Sequence, residues 1–142
     1  MRTMLFLIIL ISLIATEISA ENVVPGPQSS KEGILDGLVF IGHVGPKGGV
    51  ANDVDEVYFQ NGQFHSKSCN KYGFGSAPYS VSQDGNSIIF RAVTRSAKHG
   101  QIDWQGRVVD EELEITFLWT KERWYWFDAN EEGWVKARLK KD

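Results

Sequence analysis

The sequence contains one cysteine, Cys69, so no intramolecular disulfide can staple the fold, and stability has to come from packing. Long hydrophobic runs are also missing. The most apolar stretch, Leu5 to Ile14, falls well short of the roughly 20 residues a helix needs to cross hydrocarbon. His43, His65 and His99 stand on separate segments, and there is no Gly-x-Ser-x-Gly elbow, Walker loop, His-Glu-x-x-His helix or Cys-x-x-Cys pair. These absences leave no motif for a serine hydrolase, a phosphate-loop nucleotide enzyme, a zincin or a dithiol oxidoreductase, so no catalytic residue, metal or cofactor is expected. With a formal net charge of −3 there is no basic surplus either, and nucleic acid is not an expected partner. The cationic tail Lys136-Ala137-Arg138-Leu139-Lys140-Lys141 reads as a solvated strand end.

The first residues have the form of a secretory signal: Arg2 gives a positive start, the short apolar run follows, and Ile18-Ser19-Ala20 places a small residue before a polar stretch. Cleavage is expected near Ala20. The residue after the cut, Glu21, offers no cysteine for a lipid anchor, so the product is expected to be exported, to periplasm or outside the cell, and soluble without a membrane span. Residues 21–33, rich in Pro, Ser and Gly, read as a flexible lead-in, and 34–142 as a single domain of a size that buries a real core.

From Ile34 onward, turn chemistry recurs at short intervals and no helical pattern competes with it. Strands are predicted over 38–43, 55–60, 63–68, 78–82, 87–96, 101–109, 112–120, 123–128 and 134–139. Asn61-Gly62 between Val57-Tyr58-Phe59-Gln60 and Gln63-Phe64 is the clearest hairpin, because a type I′ turn needs positive φ at both centres. Asp110-Glu111 predicts a second tight turn. Leu113, Ile115, Phe117 and Trp119 alternate with Glu112, Glu114, Thr116, Leu118 and Thr120, which places four large apolar side chains on one sheet face. Ile102, Trp104, Gly106 and Val108 continue that face, as do Ile88, Phe90 and Ala92. Gly106 inside a long strand predicts a bend or the close approach of another side chain, with Trp104 and Trp119 as candidates. The fold class predicted is all-β: an antiparallel up-and-down meander barrel of about eight or nine strands, with a two-sheet β-sandwich as the alternative.

Cys69 is expected to behave as a small buried hydrophobe. His65, Lys67 and Cys69 alternate and would share one face of an extended segment, but two ligands without a third make no zinc site. The carboxylates, among them Asp53, Asp55, Glu56, Glu112 and Glu114, are expected at turns and outward positions, where they serve solubility.

The aromatic load is the feature that points to function. Phe64, Ser66, Trp104, Phe117 and Trp119 fall on inward positions, where apolar walls with a few polar groups make a small-molecule pocket, and they are the candidate ligand-binding residues. In Arg123-Trp124-Tyr125-Trp126-Phe127 rings point to both faces of one strand, so Trp124 and Trp126 are candidates for contact with a partner protein of the cell envelope. The runs Phe59-Gln60-Asn61-Gly62-Gln63-Phe64, Gly73-Phe74, Ile89-Phe90-Arg91-Ala92 and Trp104-Gln105-Gly106-Arg107-Val108, with Cys69, resemble a group of small exported bacterial proteins of lipocalin-like, or calycin-like, type. The resemblance implies a barrel over most of 35–136. It does not imply a lipid or pigment ligand, since Gly37-Leu38-Val39-Phe40 lacks the Gly-x-Trp of true lipocalins. The expected function is that of a non-enzymatic barrel binding a small, partly apolar molecule in its interior or at its mouth, or alternatively an envelope interaction module.

Overall fold

The computed structural model of the chain describes residues 33–122 and 129–142. Eight antiparallel strands succeed one another around a closed barrel: β1 Val39–Pro46, β2 Asp53–Gln60, β3 Gln63–Ser66, β4 Ala77–Asp84, β5 Ser87–Ser96, β6 Gly100–Val109, β7 Glu112–Lys121 and β8 Ala129–Leu139. Strand β8 returns to pair with β1, so the meander closes on itself and the sandwich alternative falls away. The expected signal peptide, all of the lead-in before Gly33 and the expected strand over 123–128 lie outside the described residues.

Local chemistry sets the hairpins. Asn61 and Gly62 take φ of 52° and 71°, the paired positive values that the Asn-Gly turn predicts. Asp110 takes φ of 53°, a left-handed conformation that a short polar side chain tolerates better than a branched one would. These tight turns, with the one at 84–87, define the lower end of the barrel, and the longer links 46–53, 66–77 and 96–100 define the upper end.

The lumen is filled by rings. Leu113 and Ile115 are buried and Phe117 and Trp119 half-buried, as the alternation of β7 predicts. Phe64 touches Phe59, Phe90 and Trp104 at ring-centroid distances of 5.5, 5.2 and 5.1 Å, and Trp104 reaches Phe117 at 5.2 Å. Tilted and edge-on contacts of this kind suit the ring quadrupole. Two of these rings sit on glycines directly across the ladder. Phe90 faces Gly106 and Phe117 faces Gly133, and a Cβ on either glycine would overlap the opposing ring. The side chain that comes close to Gly106 is therefore Phe90, not Trp104 or Trp119. Those two tryptophans share the inward face with Phe90 but stand opposite Ala92 and Ile102, so only the directly opposed ring stands over the notch.

A short turn closes the lower end. Leu35 is fully buried, and the Asp36 carboxylate accepts from the Gly62 N–H at 3.0 Å and from Tyr79 Oη at 2.8 Å. The Tyr79 hydroxyl also accepts from the Leu35 N–H at 3.3 Å. Burial, with Asp36 beside it, pushes the Tyr79 phenol up to about 12.

Two expectations follow. Gly106→Ala should destabilise the chain by about 1–3 kcal/mol in urea unfolding, because the Phe90 ring cannot retreat in a filled lumen. A smaller ring partner, Phe90→Leu, should absorb part of that cost in the double variant. The Tyr79 phenol keeps its proton to about pH 12 in the fold but releases it near 10 once unfolded, so the unfolded chain binds fewer protons between those values. Stability from this group is thus intact below pH 10 and is lost as pH rises toward 12. Ultraviolet titration should show a late tyrosine step that Tyr79→Phe removes.

Candidate functional site

Polar chemistry inside the barrel gathers at the upper end. Asp55 on β2 is 3% exposed, contrary to the outward, solubilising position expected for it, because it shares the parity of Val57 and Phe59, both inward. Its carboxylate accepts from the Ser66 hydroxyl at 2.5 Å and from the Ser68 N–H at 2.8 Å. Beside it Trp104 donates its indole N–H to Thr94 Oγ1 at 2.9 Å, and Trp119 donates to the His99 carbonyl at 2.6 Å.

Strand β3 stops at Ser66, and the 3-10 turn Asn70–Tyr72 redirects the chain. Cys69 therefore does not share a face with His65. It packs half-buried against the core, while His65 lies on the outer surface, stacked on Tyr58 and bonded through Nε2 to Asn70 Oδ1 at 2.6 Å. Burial pushes the Cys69 thiol up, and the nearby Asp55 charge works in the same direction against bonds from Ser66 and Ser68. A thiol held in its neutral form is not an activated nucleophile. Among the described residues no group of three or more His, Cys, Asp or Glu is placed to hold a metal ion.

The five residues proposed from sequence as ligand contacts all point into the barrel, but they differ in what they can offer. Phe64 is wholly buried, Ser66 2% exposed and Trp104 4% exposed, and each already has its protein partners. Phe117 and Trp119 keep part of their surface free at the upper end. No buried polar side-chain atom among the described residues lacks a hydrogen-bond partner, so the Asp55 cluster is satisfied without a ligand. Trp124 and Trp126 lie outside the described residues.

A hollow of about 700 Å³ lies on the outer face of β5 to β8. Two cross-strand rows form its floor: Arg91, Gln105, Thr116 and Trp134, then Val93, Asp103, Leu118 and Glu132. Trp134 is fixed there by its indole N–H, which donates to the Pro46 carbonyl at 2.9 Å, and its ring covers Gly45, its direct partner on β1. Lys47 pairs with Glu132 over one rim. Val93, Leu118 and Trp134 were not singled out as site residues from sequence. Their signal was present in the alternation, since Val93 stands between Arg91 and Arg95 and Leu118 between Thr116 and Thr120, apolar side chains on a face that is otherwise wet.

The chain matches no family model, no curated protein and no solved structure. Its likeness to the calycin-like group therefore rests on the shape of an eight-stranded closed meander.

Asp55→Ala is expected to lower stability by about 1–3 kcal/mol, since it leaves the buried Ser66 hydroxyl and Ser68 N–H without their acceptor. The same change should release the segment that holds Cys69. Iodoacetamide should label Cys69 of the parent chain more slowly than glutathione at pH 8, and label the variant faster than the parent.

Proposed function

We propose that this chain is a non-catalytic, exported binding protein that holds a small, partly apolar ligand in the groove across the outer face of β5 to β8. The observation that carries this reading is the filling of the lumen. Phe59, Phe64, Phe90, Trp104 and Phe117 pack ring against ring across the lumen, so a ligand placed among them would have to displace core side chains. The outer groove supports the reading through its composition. Val93, Leu118 and Trp134 give apolar contact, while Arg91, Asp103 and Gln105 offer charge of both signs and an amide within the same hollow, the mixture that orients a small molecule on an apolar wall.

A protein partner is the second reading, favoured by one specific placement. Leu118 lies six and eight residues before Trp124 and Trp126, so the groove and those aromatics are close in sequence.

Titration with an anilinonaphthalene dye, read by quenching of tryptophan emission, separates these sites. Leu118→Glu should weaken binding by about tenfold or more, the worth of one buried leucine side chain. Ser66→Ala, inside the barrel, should leave it unchanged. Binding that ignores Leu118→Glu, or that responds to Ser66→Ala instead, would overturn the groove. Capture of an envelope protein that depends on Trp124 and Trp126 but not on Leu118 would favour the second reading.

A further inference from the structure

The hollow across β5 to β8 is lined by two couples of opposite charge, and they differ in state. Lys47 and Glu132 are closed on each other over the rim. Arg91 and Asp103 are held apart. Arg91 stands on β5 directly opposite Gln105, two residues along β6 from Asp103, which makes the charged residues diagonal neighbours. At that offset the backbones lie about 7–8 Å apart. Asp103 turns its Oδ2 to the Gln101 amide at 3.0 Å, a neutral donor that leaves the carboxylate its charge, while the Arg91 side chain stands exposed beside the hollow.

The frame around this open couple is partly apolar. Val93 and Leu118, both half-buried, are the direct cross-strand partners of Asp103 on its two sides. A charge held against such a wall is screened less than one in open water, so it weighs more in the choice of ligand.

Taking the outer groove as the ligand site, a reading on which this one rests, we propose that the ligand is a free α-amino acid with an apolar side chain. Its carboxylate meets the Arg91 guanidinium, whose paired N–H donors match a carboxylate in geometry and charge. Its ammonium donates to Asp103, which keeps acceptor capacity beside the bond from Gln101. The apolar side chain extends across β7, over Leu118, toward Trp134. Asp103 on β6 and Trp134 on β8 are separated by two strand spacings, about 10 Å, a span that suits an aromatic or long aliphatic amino acid. The same two charges reject close relatives. A plain acid of equal shape brings its charge to Asp103 as well as to Arg91, and a plain amine meets Arg91 as well as Asp103, so each trades one attraction against one repulsion.

Calorimetric titration of the full chain with L-phenylalanine, 3-phenylpropanoate and 2-phenylethylamine tests the charge pattern, since the three share one phenylethyl skeleton. L-Phenylalanine should bind about fivefold or more tighter than either of the others. Arg91→Gln should remove its advantage over the amine, and Asp103→Asn its advantage over the acid. An unchanged melting transition reports that each variant is folded, and where one is not, the three ligands on the parent chain decide alone. Equal binding of the three, a preference for the acid or the amine, no binding of L-phenylalanine, or an advantage that survives both substitutions would overturn the proposal. Dye binding that still falls with Leu118→Glu in any of those cases would leave the groove standing with a different ligand. Phenylalanine binding that ignores Leu118→Glu would overturn the proposal by placing the amino acid elsewhere on the barrel.

Discussion

The seating of aromatic rings on glycines directly across the ladder is the constraint on which the rest of the structure depends. Phe90 over Gly106 and Phe117 over Gly133 do this inside the barrel, and Trp134 over Gly45 does it outside. A glycine in a strand loses packing and costs backbone entropy, so an isolated one weakens a sheet. Here each missing side chain is the space its neighbour's ring occupies. The exchange lets a small barrel carry large rings at its waist and still close, because ring and notch together take the room of two medium side chains.

That arrangement decides where function can reside. With the lumen occupied, the interior polar groups act on the fold: Asp55 ties Ser66 to the start of the β3 to β4 link, and Thr94 holds the Trp104 indole. No chain staple is present, so these bonds do at the upper end what Asp36 and Tyr79 do at the lower. The upper bonds join neighbouring strands, Asp55 to Ser66 and Thr94 to Trp104, whereas Asp36 reaches 43 residues along the chain to Tyr79, and each lies near an end of the barrel.

Much of this was legible in the sequence because it depends on parity. Period two along β7 and β6 put Leu113, Ile115, Phe117, Trp119, Ile102 and Trp104 on one face, and Asn61-Gly62 set the register that follows. The same parity placed Asp55 inward with Val57 and Phe59. It was passed over because a carboxylate on a strand is usually wet, and only its partners, a hydroxyl and an N–H from beyond β3, make burial tolerable. The identity of the ring over Gly106 was not legible, since it depends on which strand lies opposite and in which register. Alternation also misled at Cys69. It carries no information on where a strand stops, and the turn after Ser66 sends the thiol toward the core and leaves His65 outside.

The contrast between the two polar and apolar surpluses gives the functional reading its logic. A buried polar group whose partners are all present asks for nothing more, and the Asp55 cluster is of that kind. Apolar surface on a wet face is the opposite case, since its burial stays unspent until something covers it. Val93, Leu118 and Trp134, each part-buried, stand together on the outer wall of β5 to β8 among charged neighbours of both signs, and the apolar surface they keep exposed there is what a ligand would cover. Trp134 is moreover held in place by the Pro46 and Gly49 carbonyls and by the glycine beneath its ring, so the wall is built before any ligand arrives. A surface fixed in advance loses less conformational freedom on binding than one that must be ordered, which is the physical reason to place the site there and not among the satisfied groups of the lumen.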